Sequence, residues 1–416
     1  MTKESIVIVG TGWAGYTVSQ QLDSKKFDIT IVSPEETSAY TPLLASAACG
    51  LFDFSIAEEP VRHKSKNIAF YKARVENVDF AAKTCKCRAA CEIEGGDMRV
   101  FDVPYDRLIL APGCVSNTFE TAGAAEKAFF VRNVADAKKV QHRLRQLLEL
   151  ASLPGVSDQE QRDLLHIVIV GGGPTGVEIA AEMSDLFNDD FSKLYPNLKG
   201  KMRITIHDTA HFILGSFEES LREHAIESFS KRNVQVITDS KIKQVCMDSI
   251  ITESEGEVKC GMVLWTAGNK QCALVDSLNV AKTDRLPRIL TDEYLHVLEI
   301  DRSPMRDVFA LGDAADVKKF FLPTTAEVAV QKAEYLANTL NTDNYSTPFG
   351  YRQRPLVAYI GGHDGVISGK PEWSGNRAWA AWRSKNLFWT RSWRRKLMIM
   401  AAWFLDWFGG KEIARA

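Results

Sequence analysis

Two stretches of the chain begin alike, and that repetition limits the fold more than any other feature. SIVIVGTGWAG occupies residues 5–15 and HIVIVGGGPTG residues 166–176. Each is a short β-branched run, which favours a strand, followed by G-x-G-x-x-G and then a helical pattern. Each half also closes alike, on a buried-strand run and a small-residue turn: LILAPG at 108–113 and VLWTAG at 263–268. Gly171 follows Gly10 by 161 residues and Gly268 follows Gly113 by 155, so a dinucleotide-binding unit is duplicated. In the first copy Gly10 allows the tight turn, Gly12 lets backbone approach a pyrophosphate, and Gly15 permits close helix packing beneath a helix N-terminus aimed at phosphate. Gly173 and Gly176 hold the matching positions in the second copy.

A chain of 416 residues exceeds one ordinary core, and an apolar fraction of 45% can fill two or three. The expected class is α/β, with two Rossmann-like domains, the second inserted in the first. DVFALGDAAD, at 307–316, reads as a further parallel strand ending in a Gly-Asp turn that returns the chain to the first domain. The expected boundaries are 1–115 and 285–348 for the first domain, 116–284 for the second, and 349–416 for a third region. There the composition changes: seven of the nine tryptophans lie between Trp373 and Trp407, interleaved with basic residues. Residues 371–416 hold nine Lys/Arg against three Asp/Glu, a net of +6, while the remainder carries −8. That polarity suits a basic tail on an anionic surface, with nothing in it pointing to nucleic acid.

The eight cysteines include no C-x-x-C pair and follow no secretory signal, which fits a reducing compartment. Cys85, Cys87 and Cys91 read as exposed strand cysteines before a Gly-Gly turn rather than a zinc cluster, and no metal is expected. No EF-hand pattern appears, so neither is calcium control. The longest apolar run in the tail, LMIMAAWFL at 397–405, has nine residues against the ~18 a membrane span needs. Only MTKE precedes the first strand-like run, leaving no room for a presequence.

An acidic side chain at the end of the second strand of such a unit accepts hydrogen bonds from the adenosine ribose. RITIHDT puts Asp208 there, 32 residues after Gly176, with the insertion DDFSKLYPNLKGKM taking up the excess. An acid repels a 2′-phosphate, so NADH is expected over NADPH. In the first unit DITIVSP ends at Ser33, with Glu35 and Glu36 displaced beyond it. Two dinucleotide sites on one chain imply a bound redox relay and a diffusing substrate, and FAD with NAD(P)H fits that division. LGDAAD supports FAD: Gly312 admits the cofactor chain and Asp313 can accept from its ribityl hydroxyls.

With YTPLLASAACG at 40–50, EEPVR at 58–62, YDRLILAPG at 105–113, GGGPTGVEIAAE at 171–182 and LPTTAEVAVQKAEYLA at 322–337, nearly the whole chain resembles one family. It is similar to the type II NADH:quinone oxidoreductases, the single-subunit alternative NADH dehydrogenases, which likewise tend to carry Ser-Pro at Ser33. The resemblance implies FAD in the first domain, NADH docking from the second onto one flavin face, and quinone arriving from the membrane side. It assigns Gly10, Gly12, Gly15, Ser33, Pro42, Leu43, Ala111, Gly113, Gly312 and Asp313 to FAD. Gly173, Gly176, Glu178, Asp208 and Gly268 would hold NADH, with Glu178 close to the nicotinamide. The implied reaction is ping-pong: hydride passes from NADH to FAD, then two electrons to quinone, without proton pumping. Glu327 stands where the family usually has Gln, and Gln331 matches its second Gln; both would line the quinone site. Disulfide reduction lacks its close cysteine pair, whereas Cys114 with Cys246 or Cys272 keeps sulfide:quinone chemistry open. Oxygen or a specialised small molecule as acceptor, and a non-catalytic NADH-binding flavoprotein in signalling, stay open as well.

Glu327 and Gln331 are four apart and share a helix face. Around them Ala326, Ala329, Ala333 and Ala337 are small enough for something bulky to come close, and Ala326 is a cofactor-contact candidate. T-x-x-E from Thr324 to Glu327 also fits a capping box, which would turn the carboxylate back to the Thr324 N–H. In the tail Trp389, Trp393, Leu397, Met400, Phe404 and Trp407 recur at helical steps with Arg391, Arg394, Arg395 and Lys396 to one side, after an earlier helix bearing Trp379, Trp382 and Phe388. Such basic, aromatic helices imply peripheral attachment to a membrane, mitochondrial inner or bacterial cytoplasmic. Packing on the protein's own body or a homodimer interface is the competing expectation.

Overall fold

The structure is a computed structural model describing residues 3–51, 53–62, 68–91, 98–284, 286–369 and 372–409, with side chains to residue 405. The chain forms two units: residues 1–39, 59–115 and 269–353, and residues 40–58, 116–268 and 354–416.

Strand Glu4–Val9 lies in the middle of the first unit's ten-stranded sheet. Phe27–Ser33 and Arg107–Leu110 flank it in parallel, pairing Ile6 with Ile29 and with Arg107. Pro304–Ala310 adds a further parallel strand through Val308 and Leu108, the return strand expected from the sequence. Ile6, Val7 and Ile8 are fully buried because both sheet faces are covered. One face carries helices Trp13–Gln21 and Ala326–Thr342 over Ile6, Ile8, Ile29 and Ile31. Against the other, Val7, Val9 and Val32 share a core with Leu274 and Val275 and with Val75, Cys85 and Cys87.

In the second unit the parallel order is Val234–Ile237, Arg203–His207, His166–Val170 and Met262–Trp265. Its register repeats that of the first: Gly10 N–H donates to the Val32 carbonyl at 2.9 Å and Gly171 N–H to that of His207 at 2.8 Å. A three-stranded antiparallel sheet, Ile242–Val245, Ser249–Thr252 and Gly256–Lys259, shares a core with Val168, Val170 and Trp265.

The division of the chain differs from the expected one in three places. Residues 269–284 belong to the first unit, because helix Ala273–Ser277 buries Leu274 and Val275 in its core. Residues 40–58 belong to the second, where helix Thr41–Ala48 packs on helices Val134–Ala151 and Pro174–Asp185. The C-terminal region is part of the second unit too, since hairpin Val357–Gly361 and Asp364–Ile367 packs on helices Pro174–Asp185 and Glu219–Ser230. Cys85 and Cys87 are not exposed: two apart on strand Thr84–Ala89, both point into the core, and burial pushes their thiols up to about 12 and about 11. Cys91 is exposed, and the Gly-Gly pair after it lies outside the described residues.

Candidate functional site

In the first unit the glycine loop opens a cavity of about 550 Å³. Gly10, Gly12, Ser33, Ala111 and Gly113 line it, with Thr11, Pro34, Glu35, Arg74 and Cys272. Gly10 has φ +102°, and a Cβ on it would meet the Ala111 carbonyl oxygen at 2.3 Å. A Cβ on Gly15 would lie 2.0 Å from the Gly10 carbonyl oxygen, so helix and loop meet there without a side chain. Gly12, the residue before helix Trp13–Gln21, has nothing within 4 Å of its Cβ position, which leaves backbone N–H groups open to a phosphate. This cradle fits the pyrophosphate of a dinucleotide such as FAD.

Ser33 does not act as a free substitute for the missing acid. Its hydroxyl lies 3.0 Å from that of Thr11 and accepts from Glu35 N–H at 3.2 Å, while Thr11 also reaches the Glu35 carbonyl. This knot holds Glu35 on the cavity wall. Gly312, at φ +67°, opens a short turn beside Ala14 and Ala329, and the Asp313 carboxylate accepts from the Cys114 thiol at 3.2 Å. Pro42 and Leu43 start helix Thr41–Ala48 in the second unit and are not among the residues that line this cavity.

The second glycine loop repeats the geometry. Gly171 has φ +109°, a Cβ on Gly176 would meet the Gly171 carbonyl oxygen at 2.0 Å, and Gly173 has open space. The Asp208 carboxylate accepts from Gly172 N–H at 2.6 Å and Ala210 N–H at 2.8 Å, which fixes it at the mouth of the loop. Gly268 has φ +70°, and a Cβ there would strike the Phe119 ring. In the strands that lead to the loop and to Asp208, His166 and His207 are buried and bonded to Thr205 and Ser240, and burial pushes both imidazoles down to about 4.

Helix Pro174–Asp185 lines up a half-buried Glu178 with the buried Glu182 and Asp185 along one side. Glu178 accepts from the Trp382 indole N–H at 3.0 Å, and burial raises its carboxyl to about 7. Glu182 accepts from the Ser46 hydroxyl at 2.7 Å. Asp185 takes Tyr359 Oη–H, Gly362 N–H and the Arg232 guanidinium.

On helix Ala326–Thr342 the capping box does not form. The Thr324 hydroxyl is engaged by the Asn269 amide at 2.9 Å, and the cap is Thr325, whose hydroxyl accepts from Val328 N–H. The Glu327 carboxylate instead accepts from the Gln331 amide at 2.6 Å, and Gln331 exchanges two 3.0 Å bonds with the Arg352 backbone. Ala329, Ala333 and Ala337 are buried in the core shared with helix Trp13–Gln21, so the bulky neighbour they admit is that helix. Ala326 is half-buried at the first helical position, outside the cavity lining.

The tail forms helices Asn376–Trp389 and Trp393–Gly409. Phe388 is 80% exposed, Trp393 75% and Phe404 59%, with Leu397 and Met400 also outward. Trp382 is not interfacial: at 5% exposure it stacks on Tyr359, ring centroids 4.9 Å apart. The Arg391 guanidinium lies over the Tyr40 ring, 5.5 Å from its centroid, and Arg395 Nε donates to the Ser55 carbonyl, so part of the basic face is spent on the protein itself. The Trp407 side chain lies outside those described. Thr11 and Arg74 line the cavity with no signal in the sequence, whereas Glu35 shows there only as a displaced acid and Trp382 only as part of an aromatic helix.

Paired glycine cradles, each at the end of a run of parallel strands, define a two-dinucleotide oxidoreductase. The family model of the pyridine nucleotide-disulphide oxidoreductases matches residues 4–333. A probable NADH dehydrogenase of Dictyostelium discoideum is 31% identical, over 99% of this chain and 91% of that protein. The internal alternative NAD(P)H-ubiquinone oxidoreductase A1, mitochondrial, of Solanum tuberosum is 31% identical over 99% and 88%. The solved structure of NDH2 from Plasmodium falciparum in complex with NADH shares the fold, with a TM-score of 0.91 at 23% identity and both chains covered at 100%. The chain belongs to the type II NADH dehydrogenase family.

Proposed function

We propose that the protein is an FAD-dependent NADH:quinone oxidoreductase acting at a membrane surface without pumping protons. The observation that carries this reading is the identical contact in both units, Gly15 on Gly10 and Gly176 on Gly171, each beside an open glycine at a helix N-terminus. Bound FAD supplies the redox chemistry, accepting a hydride from NADH and passing two electrons to a quinone.

The protein's own groups bind and orient. Gly10, Gly12, Gly15, Ala111 and Gly113 cradle the FAD pyrophosphate side, with Glu35 taking the ribose in place of Ser33, and Gly312 and Asp313 hold the polyol chain. Gly173, Gly176, Asp208 and Gly268 hold NADH. Glu178, whose carboxyl is pushed up to about 7, keeps a proton near neutrality beside the nicotinamide. Glu327 and Gln331 meet the quinone as a bonded pair. Pro42, Leu43 and Ala326 remain supporting contacts in this reading.

No helix among the described residues is long and apolar enough to cross a membrane. The outward Phe388, Trp393, Leu397 and Phe404 support attachment to one leaflet, at a mitochondrial inner or bacterial cytoplasmic membrane. Steady-state NADH oxidation by the FAD-loaded protein with a soluble quinone tests the activity; negligible turnover sinks it. Flotation with anionic vesicles tests attachment: F388E/W393E should lose binding. Unchanged flotation, with a dimer that falls apart in the variant, would assign that face to self-association.

A further inference from the structure

We propose that Trp382 is a positioning residue for Glu178, so that the C-terminal segment carrying the outward aromatics also completes the nucleotide site of the second unit. The inference rests on the reading that Glu178 works beside the nicotinamide. Three contacts, all within the second unit, carry it. The Trp382 indole N–H reaches a Glu178 carboxyl oxygen at 3.0 Å. Tyr359 lies nearly parallel to the indole, with centroids 4.9 Å apart and planes 21° apart, and its backbone N–H also favours the Glu178 carboxylate. The Tyr359 hydroxyl is in turn held by Asp185, which Gly362 N–H and Arg232 also hold.

A buried carboxyl takes its orientation and proton affinity from the few groups that reach it. For Glu178 those are Glu182 on its own helix, which opposes ionisation, and Lys385 on the tail helix, which favours it. From helix Thr41–Ala48 the Ser46 hydroxyl is used on Glu182. Among the described residues Trp382 is therefore the only side-chain hydrogen-bond donor acting on Glu178, and an indole can donate but never accept. It favours the ionised form while leaving the other carboxyl oxygen uncommitted by this bond. Displacing the tail helix removes that donor, linking the attachment of the tail to the protonation of Glu178.

The test replaces Trp382 by benzothienylalanine, which keeps the bicyclic ring and its stack and removes only the N–H. The full FAD-loaded chain is followed by the pH profile of kcat/KM for NADH and by the infrared band of the protonated Glu178 carboxyl, identified by its loss in E178Q. The limb due to Glu178 and the band's disappearance should both move up by about one pH unit. W382F should move them in the same direction. Limb and band at the original pH in both variants would overturn the inference. Should E178Q itself turn over NADH with an unchanged profile, the role given to Glu178 fails, while the band still reports whether the indole bond governs its proton.

Discussion

Glu327 and Gln331 are bonded side chain to side chain at 2.6 Å, one helical turn apart, and the backbone of Arg352 holds the outer end of the pair. The carboxylate is therefore not spent on capping its own helix, which Thr325 does. E327Q should keep the fold, since a Gln carbonyl can still accept from Gln331, and the lost interaction of an acid with the helix N-terminus is about 0.3–1 kcal/mol. Its KM for quinone should change several-fold while NADH reduction of the flavin in single turnover stays the same. Unaltered quinone kinetics would exclude Glu327 from the acceptor site.

Two glycines of one loop should respond in opposite ways. A methyl at Gly15 meets the Gly10 carbonyl at 2.0 Å, whereas one at Gly12 meets nothing within 4 Å. G15A should therefore destabilise the chain by roughly 1–3 kcal/mol even without cofactor. G12A should unfold at the wild-type temperature as apoprotein yet bind FAD at least tenfold more weakly. Thermal melts and FAD titration of both apoproteins separate the two.

Asp208 is fixed by Gly172 N–H and Ala210 N–H, and in the proposed NADH site its charge would face a 2′-phosphate. D208S removes that charge and keeps a small acceptor. The ratio of kcat/KM for NADPH to that for NADH should rise about tenfold, the equivalent of about 1.4 kcal/mol. An unchanged ratio would place nucleotide discrimination elsewhere.

Much of this was legible because the glycine repeats report backbone needs that no other residue meets. Gly10 and Gly171 need positive φ, and Gly15 and Gly176 need a missing Cβ. Other features depend on partners far along the chain. The spacing of Trp379, Trp382 and Phe388 marks an apolar helix but not whether a given residue meets lipid or the protein's own Tyr359. Likewise Ala329 and Ala333 read as room for a ligand, when the occupant is a helix more than 300 residues earlier. Cys85 and Cys87 share one strand face, and only the core it joins with Val7, Val9, Leu274 and Val275 decides that this face is inward. Glu178 was identified by the family resemblance; its raised carboxyl and indole partner came from burial.

Acid should weaken the second unit through His166 and His207. Both are neutral in the fold, held down to about 4, whereas the unfolded chain titrates near 6.5. The unfolded state therefore binds more protons between these values, and stability present above pH 6.5 is lost as the pH falls toward 4. Urea unfolding from pH 7.5 to 4.5 should show a loss of roughly 3 kcal/mol or more. A flat profile would mean the imidazoles are not desolvated as the fold implies.

The central claim is that one chain relays electrons from NADH through a bound flavin to a quinone. The absorbance of the purified FAD-loaded protein under anaerobic conditions tests this most directly. NADH should bleach the flavin band, the bleached state should persist, and a soluble quinone should restore the band within the time of a catalytic turnover. A band that NADH does not bleach, or that only oxygen restores, would contradict the account.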